Sequence, residues 1–442
     1  MKRSLLTLVL IGFVFCLQAQ NMQVLYGMDR LYQGSYLNPA YIPNNRVVVS
    51  LPSFYNNLSI NGPAYSDVVK NNGVEDYIDI SSLLSNLEPT NYLREDMEIQ
   101  TLGLCLSLGP VGIQAYHKVR FNAFLAYPEE LPSLVWEGNA QYLGETINIG
   151  SDFLLHSRSE FGLGASLKLG GLTVGARAKY LNGIGHLSTE RNELEILTNE
   201  NDYSIEFGTD YQINSANSLN YNSLNDVDLN FSIGDVKWDE LFSKNNGMSF
   251  DIGAQMDLGD FEISAAINDL GYVDFDTEVR NYNSEGEYSY DGLDISNVLS
   301  GQDVELSGIV DTLANLLNFE ENNNGFRYLI PSSQYLMVKY KLADNWDLGV
   351  SYFHESFKAA PVNALSVSAG AGIGNILRLR GAYTVRNDNY SNLGLGVSAK
   401  LAFLELFVLT DNVLVISDPL GAQDFNILAG LNFAISRKTK KK

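Results

Sequence analysis

The chain has 442 residues, with 52 acidic against 29 basic side chains, and the resulting formal charge of −23 argues against a nucleic acid as partner. Its 38 Gly, 25 Tyr and 21 Phe within a 45% hydrophobic composition favour β structure over helix. Two cysteines, one of them in the leader, exclude an intramolecular disulfide and a Cys-based zinc site. Residues 1–19 read as an export signal, with Lys2 and Arg3, an apolar run over 5–17 and small Ala19. Cys16 follows Phe15, without the small residues that precede a lipid-anchored cysteine. No later run reaches the roughly 18 apolar residues of a transmembrane helix, so the mature chain is either soluble or crosses a membrane as strands.

Residues 20–45 follow as a distinct lead-in. Pro39 fixes its own φ and pushes Asn38 away from helix, and Pro43 repeats the restriction. Asn38, Pro39 and Ala40 therefore make a stiff corner just ahead of the valines at 47–49, whether as a shaped element or as an ordinary turn.

From about Arg46 onward the dominant signal is period two. Leucines fill the even positions of 101–108 while Thr101, Gly103, Cys105 and Ser107 fill the odd ones, giving one apolar and one small polar face. After Gly109-Pro110 the alternation resumes in 111–125. The same hairpin recurs across Gly170-Gly171 and Gly259-Asp260, and further strands are predicted at 333–342, 346–356, 362–373, 376–387, 392–402, 404–412 and 425–436. The total is about fourteen. Tight connections alternate with long ones at 62–94, 128–152, 184–247 and 276–327, and within these 80–87 and 309–317 have helical spacing. An even set of antiparallel strands with short turns at one end and long loops at the other predicts an all-β, up-and-down transmembrane β-barrel over 46–436, set in outer-membrane lipid. A secreted sandwich or propeller is the competing fold; the polar second face and the absence of a blade-length repeat weigh against it.

If the apolar face meets lipid, parity turns Lys118, Arg120, Arg158, Lys168, Arg177, Lys179, Lys339, Lys341, Arg378, Arg380, Arg386 and Lys400 into the lumen. Glu160, Asp251, Asp257, Glu262, Asp347, Glu355 and Glu405 face inward with them. The 276–327 loop carries eleven acids against Arg280 and Arg327, so negative charge is concentrated in the loops. The basic wall either attracts anions or is compensated by inward acids, and compensation is the reading favoured in a narrow barrel. Enzyme chemistry is not indicated: the four histidines, His117, His156, His186 and His354, have no metal-ligand spacing, no GxSxG, HExxH or P-loop is present, and no cofactor is called for.

SerTyrLeuAsnProAla at 35–40, GluPheGlyLeuGly at 160–164, ValGlyAlaArgAlaLysTyrLeuAsnGly at 174–183, IleAsnAspLeuGly at 267–271, LeuThrAspAsn at 409–412 and GlyLeuAsnPhe at 430–433 carry a resemblance. The chain is similar to an uncharacterised family of outer-membrane barrels from the phylum with type IX secretion and, more distantly, to the long-chain fatty-acid transporter (FadL-type) superfamily. In that superfamily an AsnProAla segment belongs to a hatch folded into the periplasmic end of the barrel. The resemblance implies that Asn38, Pro39 and Ala40 are hatch residues. Lys168, Lys341, Arg378 and Lys400 fall close to tight turns, so with neighbouring acids they are expected to hold such a hatch at the rim. It implies the outer membrane of a Gram-negative cell, and places the basic stretch over 437–442 in the periplasm. The leading functional reading is binding or transport of a hydrophobic or amphiphilic small molecule through a plugged lumen. The alternative is a scaffold or secretion and assembly partner acting through its acidic loops.

Overall fold

A computed structural model describes residues 22–436 except 72, 74, 218, 224–225, 230–243, 291–318, 358–359, 375 and 388. The leader over 1–19, the helical stretch expected over 309–317 and the basic tail over 437–442 lie outside the described residues. Fourteen strands form the wall: β1 Asn45–Asn61, β2 Thr90–Leu108, β3 Val111–Pro128, β4 Asp152–Leu169, β5 Leu172–Thr198, β6 Asn246–Leu258, β7 Phe261–Phe275, β8 Ser333–Ala343, β9 Trp346–Glu355, β10 Val362–Ile373, β11 Leu377–Arg386, β12 Asn389–Leu401, β13 Leu404–Thr410 and β14 Asp424–Ser436. Each pairs antiparallel with the next. The ring closes where β1 meets β14, from Asn45↔Ser436 to Ser59↔Asp424. Closure leaves the wall no free edge and pairs its backbone groups without water.

Alternation decides which way each residue points. Leu163, Leu167, Ile252, Leu348 and Val367 stand exposed on the outer face, while Ser166, Arg177, Asp251, Asp347 and Ser366 are buried on the inner one. Bulges change the parity along several strands, and two of them shape the charged lumen wall. One between Gln100 and Leu102 turns Arg94, Asp96 and Gln100 inward above it, and Gly103, Cys105 and Ser107 inward below. The other lies on β7, where Asn268 and Asp269 together face Asp251 of β6, and the Asp269 φ of 63° lets both point into the barrel.

Two strands run further than their alternation suggests. β2 begins at Thr90, inside the loop expected over 62–94, because Arg94, Asp96 and Glu98 occupy inward positions and mask the apolar pattern. β5 continues through the loop expected over 184–247, reaching Thr198, because its upper part exchanges neighbours. Below Asn182 it pairs with β6, and above His186 with Ile205–Ala216, which in turn pairs with Val279–Tyr290. With the short strands Thr146–Asn148 and Glu320–Asn322 along its two edges, these three form a sheet that extends the barrel wall on the long-loop side. Elsewhere on that side, Ile80–Ser85 is helical, capped by Asp79 accepting from the Ser82 N–H at 3.1 Å. At the opposite extreme β13 has only 7 residues, short of the roughly nine to eleven that cross a bilayer. The segment after it, including Val413–Ile416, packs beside β12.

Candidate functional site: the lumen and the segment folded into it

Residues 22–44 lie against the inner wall and bond to widely separated strands. The Asn38 side chain is the centre of the proline corner: its Oδ1 accepts from the Ala40 N–H at 2.8 Å, and its Nδ2 donates to the carbonyls of Ala254 at 3.1 Å and Ala265 at 3.3 Å. Pro39 offers its carbonyl to Gln114 Nε2 at 3.2 Å. The wall beneath is Gly175 and Gly253, where a Cβ would collide with the Pro39 carbonyl and with Asn38 Oδ1. Asn268 donates to the Leu37 carbonyl at 3.0 Å, and Gln33 and Asn432 exchange amide bonds at 3.1 Å. Tyr36 lies under Lys118, whose Nζ is 3.4 Å from the ring centroid. Burial raises the Tyr36 hydroxyl far above its usual pKa, so it stays a donor, here to Gln100. At the start of the segment, the Gln23 and Val24 N–H groups donate to the Asp411 carboxylate at 3.2 and 2.9 Å.

Six bases, Arg94, Lys118, Arg120, Arg158, Arg177 and Lys179, and six acids, Asp96, Glu98, Glu160, Asp251, Asp269 and Glu355, form a belt above this segment. Lys179 bridges Asp251 and Asp269 at 2.7 Å each, Arg177 meets Asp251 at 3.0 Å, and Arg120 reaches Glu98 and Glu160 at 3.2 Å. Arg158 instead donates to Asn122 Oδ1 at 3.0 Å. Equal numbers of opposite charges, all but Arg158 in direct ion pairs, make this wall compensated rather than anion-attracting. Arg94, Asp96, Glu98 and Asp269 escaped the parity assignment because they lie on the hidden start of β2 and at the β7 bulge.

The four bases expected to hold the segment divide in two, and the lumen bases Arg177 and Arg380 join the pair that reaches it. Arg177 donates to the Ser35 carbonyl and to Gln114 Oε1, Arg378 to the Gly27 carbonyl at 3.3 Å and to Asp347, and Lys400 to Asn45 Oδ1 at 2.6 Å. Arg380, fully buried, pairs with Asp347 and lies beneath Gly27. Lys168 and Lys341 do not reach the segment. They sit at strand ends, where the inward face already opens to solvent, and pair on the surface with Asp257 at 2.7 Å and Asp344 at 3.0 Å. The contribution from within the segment was missed: Asp29 takes Lys339 at 2.8 Å.

Between the segment and the long-loop end lies a cavity of about 110 Å³. Met22, Leu25 and Leu37 form its floor, the charged belt its sides, and Tyr328, Pro331 and Phe357 its ceiling. Tyr328 is the keystone, packing against the cluster of Leu181, Val273 and Phe275 on one side and that of Phe124, Leu154 and Phe357 on the other. Residues Phe326–Leu329 hold it there by pairing with 272–275 of β7.

An apolar outer face, a compensated charged lumen and a folded-in leading segment define a closed antiparallel barrel of the membrane-protein kind. The chain belongs to the Family of unknown function (DUF5723), whose pattern matches residues 39–411. It is similar in architecture to the Ralstonia pickettii toluene transporter TbuX, at 9% identity and a TM-score of 0.43 over 92% of this chain and 94% of that one. The P. putida toluene transporter TodX aligns at 10% identity and a TM-score of 0.40 over 91% and 93%. A Pseudomonas aeruginosa FadL homologue aligns at 9% and 0.38 over 93% and 94%. No curated protein matches the chain.

Proposed function

We propose that this protein is an outer-membrane barrel that binds or passes a hydrophobic or amphiphilic small molecule, with residues 20–45 acting as the hatch on the periplasmic side. The observation that carries this reading is the cavity between Leu25 and Tyr328. It joins apolar side chains from the segment, Met22, Leu25 and Leu37, to a belt of paired charges, so an apolar body and a polar end each meet matching chemistry. Native mass spectrometry of the detergent-purified protein is expected to retain about one apolar or amphiphilic molecule per chain, and Leu25→Glu to lose it. Identical adducts in the natural and Leu25→Glu proteins would overturn the reading. The scaffold alternative draws support from the sheet that β5 builds beyond the barrel, a surface a transporter does not need. A partner retained by the natural protein, and lost when 192–212 is replaced by a short turn, would favour it.

A further inference from the structure

The ceiling of the lumen rests on a feature outside the charge belt. His156 on β4 and His186 on β5 are cross-strand partners, both essentially fully buried, with Nδ1 atoms 3.2 Å apart. One ring must donate and the other accept, so the contact requires at least one neutral imidazole. His186 Nε2 is 2.8 Å from Ser188 Oγ. The Tyr328 ring centroid lies 4.7 Å from each imidazole, Phe275 4.9 Å and Phe326 5.2 Å from His186. The imidazole pair is thus the seat on which Phe326–Leu329 presses, and only four residues pair that segment to β7.

The groups facing the pair explain what a second proton would do. β4 supplies Arg158, two residues along the same inward face; β3 presents Asn122, β5 Ser188, β7 Phe275 and the ceiling Tyr328. Arg327, between Phe326 and Tyr328, turns outward and pairs with Asp274 at 2.6 Å. Two imidazolium rings would stand against each other and against Arg158, and among the described residues of these elements no carboxylate faces them; repulsion at 3.2 Å in a buried site is large.

We propose that His156 and His186 form an acid-released latch for the ceiling segment: doubly protonated, the pair separates, Tyr328 loses its seat and the lumen opens toward the long-loop side. The latch regulates the cavity of the function proposed above and rests on that reading for its purpose. Its test involves no cargo, so a failure to find a bound molecule leaves the result standing.

The test is hydrogen exchange of the whole protein in detergent between pH 7.5 and 4.5, corrected for the intrinsic exchange rate. Amides of 326–329 are expected to lose at least tenfold protection on acidification while those of β9 and β10 keep theirs. His156→Gln, with a single imidazole, should retain protection throughout, and His186→Asn serves if that variant fails to fold. Unchanged protection of 326–329 down to pH 4.5, or an equal loss in the variant, would overturn the latch.

Discussion

Asp411 shows how much one side chain asks of its surroundings. It lies one residue past β13, fully enclosed, and holds two backbone N–H groups of the leading segment. Burial raises its carboxyl from 3.8 to about 6, against the pull of those donors. The folded chain therefore keeps the proton up to about pH 6, whereas the unfolded chain releases it near 3.8. Ionised Asp411 thus weakens the fold above pH 6, and that penalty lifts as pH falls through this value. Urea unfolding should show the natural protein gaining about 1 kcal/mol relative to Asp411→Asn between pH 7.5 and pH 5, since one pH unit of differential protonation is worth about 1.4 kcal/mol. A gain equal in the two proteins would remove Asp411 as the source.

At the level of elements, the leading segment is the piece whose role is most directly tested. Several bonds, each worth about 1 kcal/mol, hold it to the wall, whereas the wall's own ladders run through all fourteen strands without it. Deleting 22–42 behind an intact leader is expected to leave a folded barrel with raised conductance in planar bilayers; conductance equal to that of the intact protein would deny the segment its blocking role. Alternation made the strands from β8 to β14 legible almost to the residue, because Leu, Val and Ala outside face Ser, Gly and charge inside. It failed where inward charge dominates, as at Arg94 and Asp96, and where a bulge changes parity, as at Asp269. The proline corner was readable as rigid from Pro39 alone, but its glycine bed was not, since Gly175 and Gly253 come together only when β5 and β6 pair. The histidine pair was equally hidden: thirty residues separate His156 from His186, and only the β4–β5 register brings them into contact.

For the molecule as a whole, the two ends differ in chemistry. Turns such as 109–110, 170–171, 259–260 and 344–345 are minimal, while the opposite end carries the sheet that prolongs β5 and most of the loop acids. Cysteines placed at Glu206, in that sheet, and at Asp344, in a tight turn, should report the orientation to an impermeant reagent on intact cells. Labelling is expected at Glu206 alone, and labelling only at Asp344 would invert the protein in the membrane. The leading segment also sets the order in which the molecule can be made. Gln23 finds its acceptor 388 residues away and Gln33 bonds Asn432 across 399, while β1, directly after the segment, completes the seam with β14. Contacts of such sequence separation pay their loop-closure entropy before they return anything. The leading segment is therefore among the last parts of the chain to be fully satisfied, and until the final strand arrives Tyr32, which packs against Ala434, and Gln33 lack those partners, which leaves a holding chaperone time to find them.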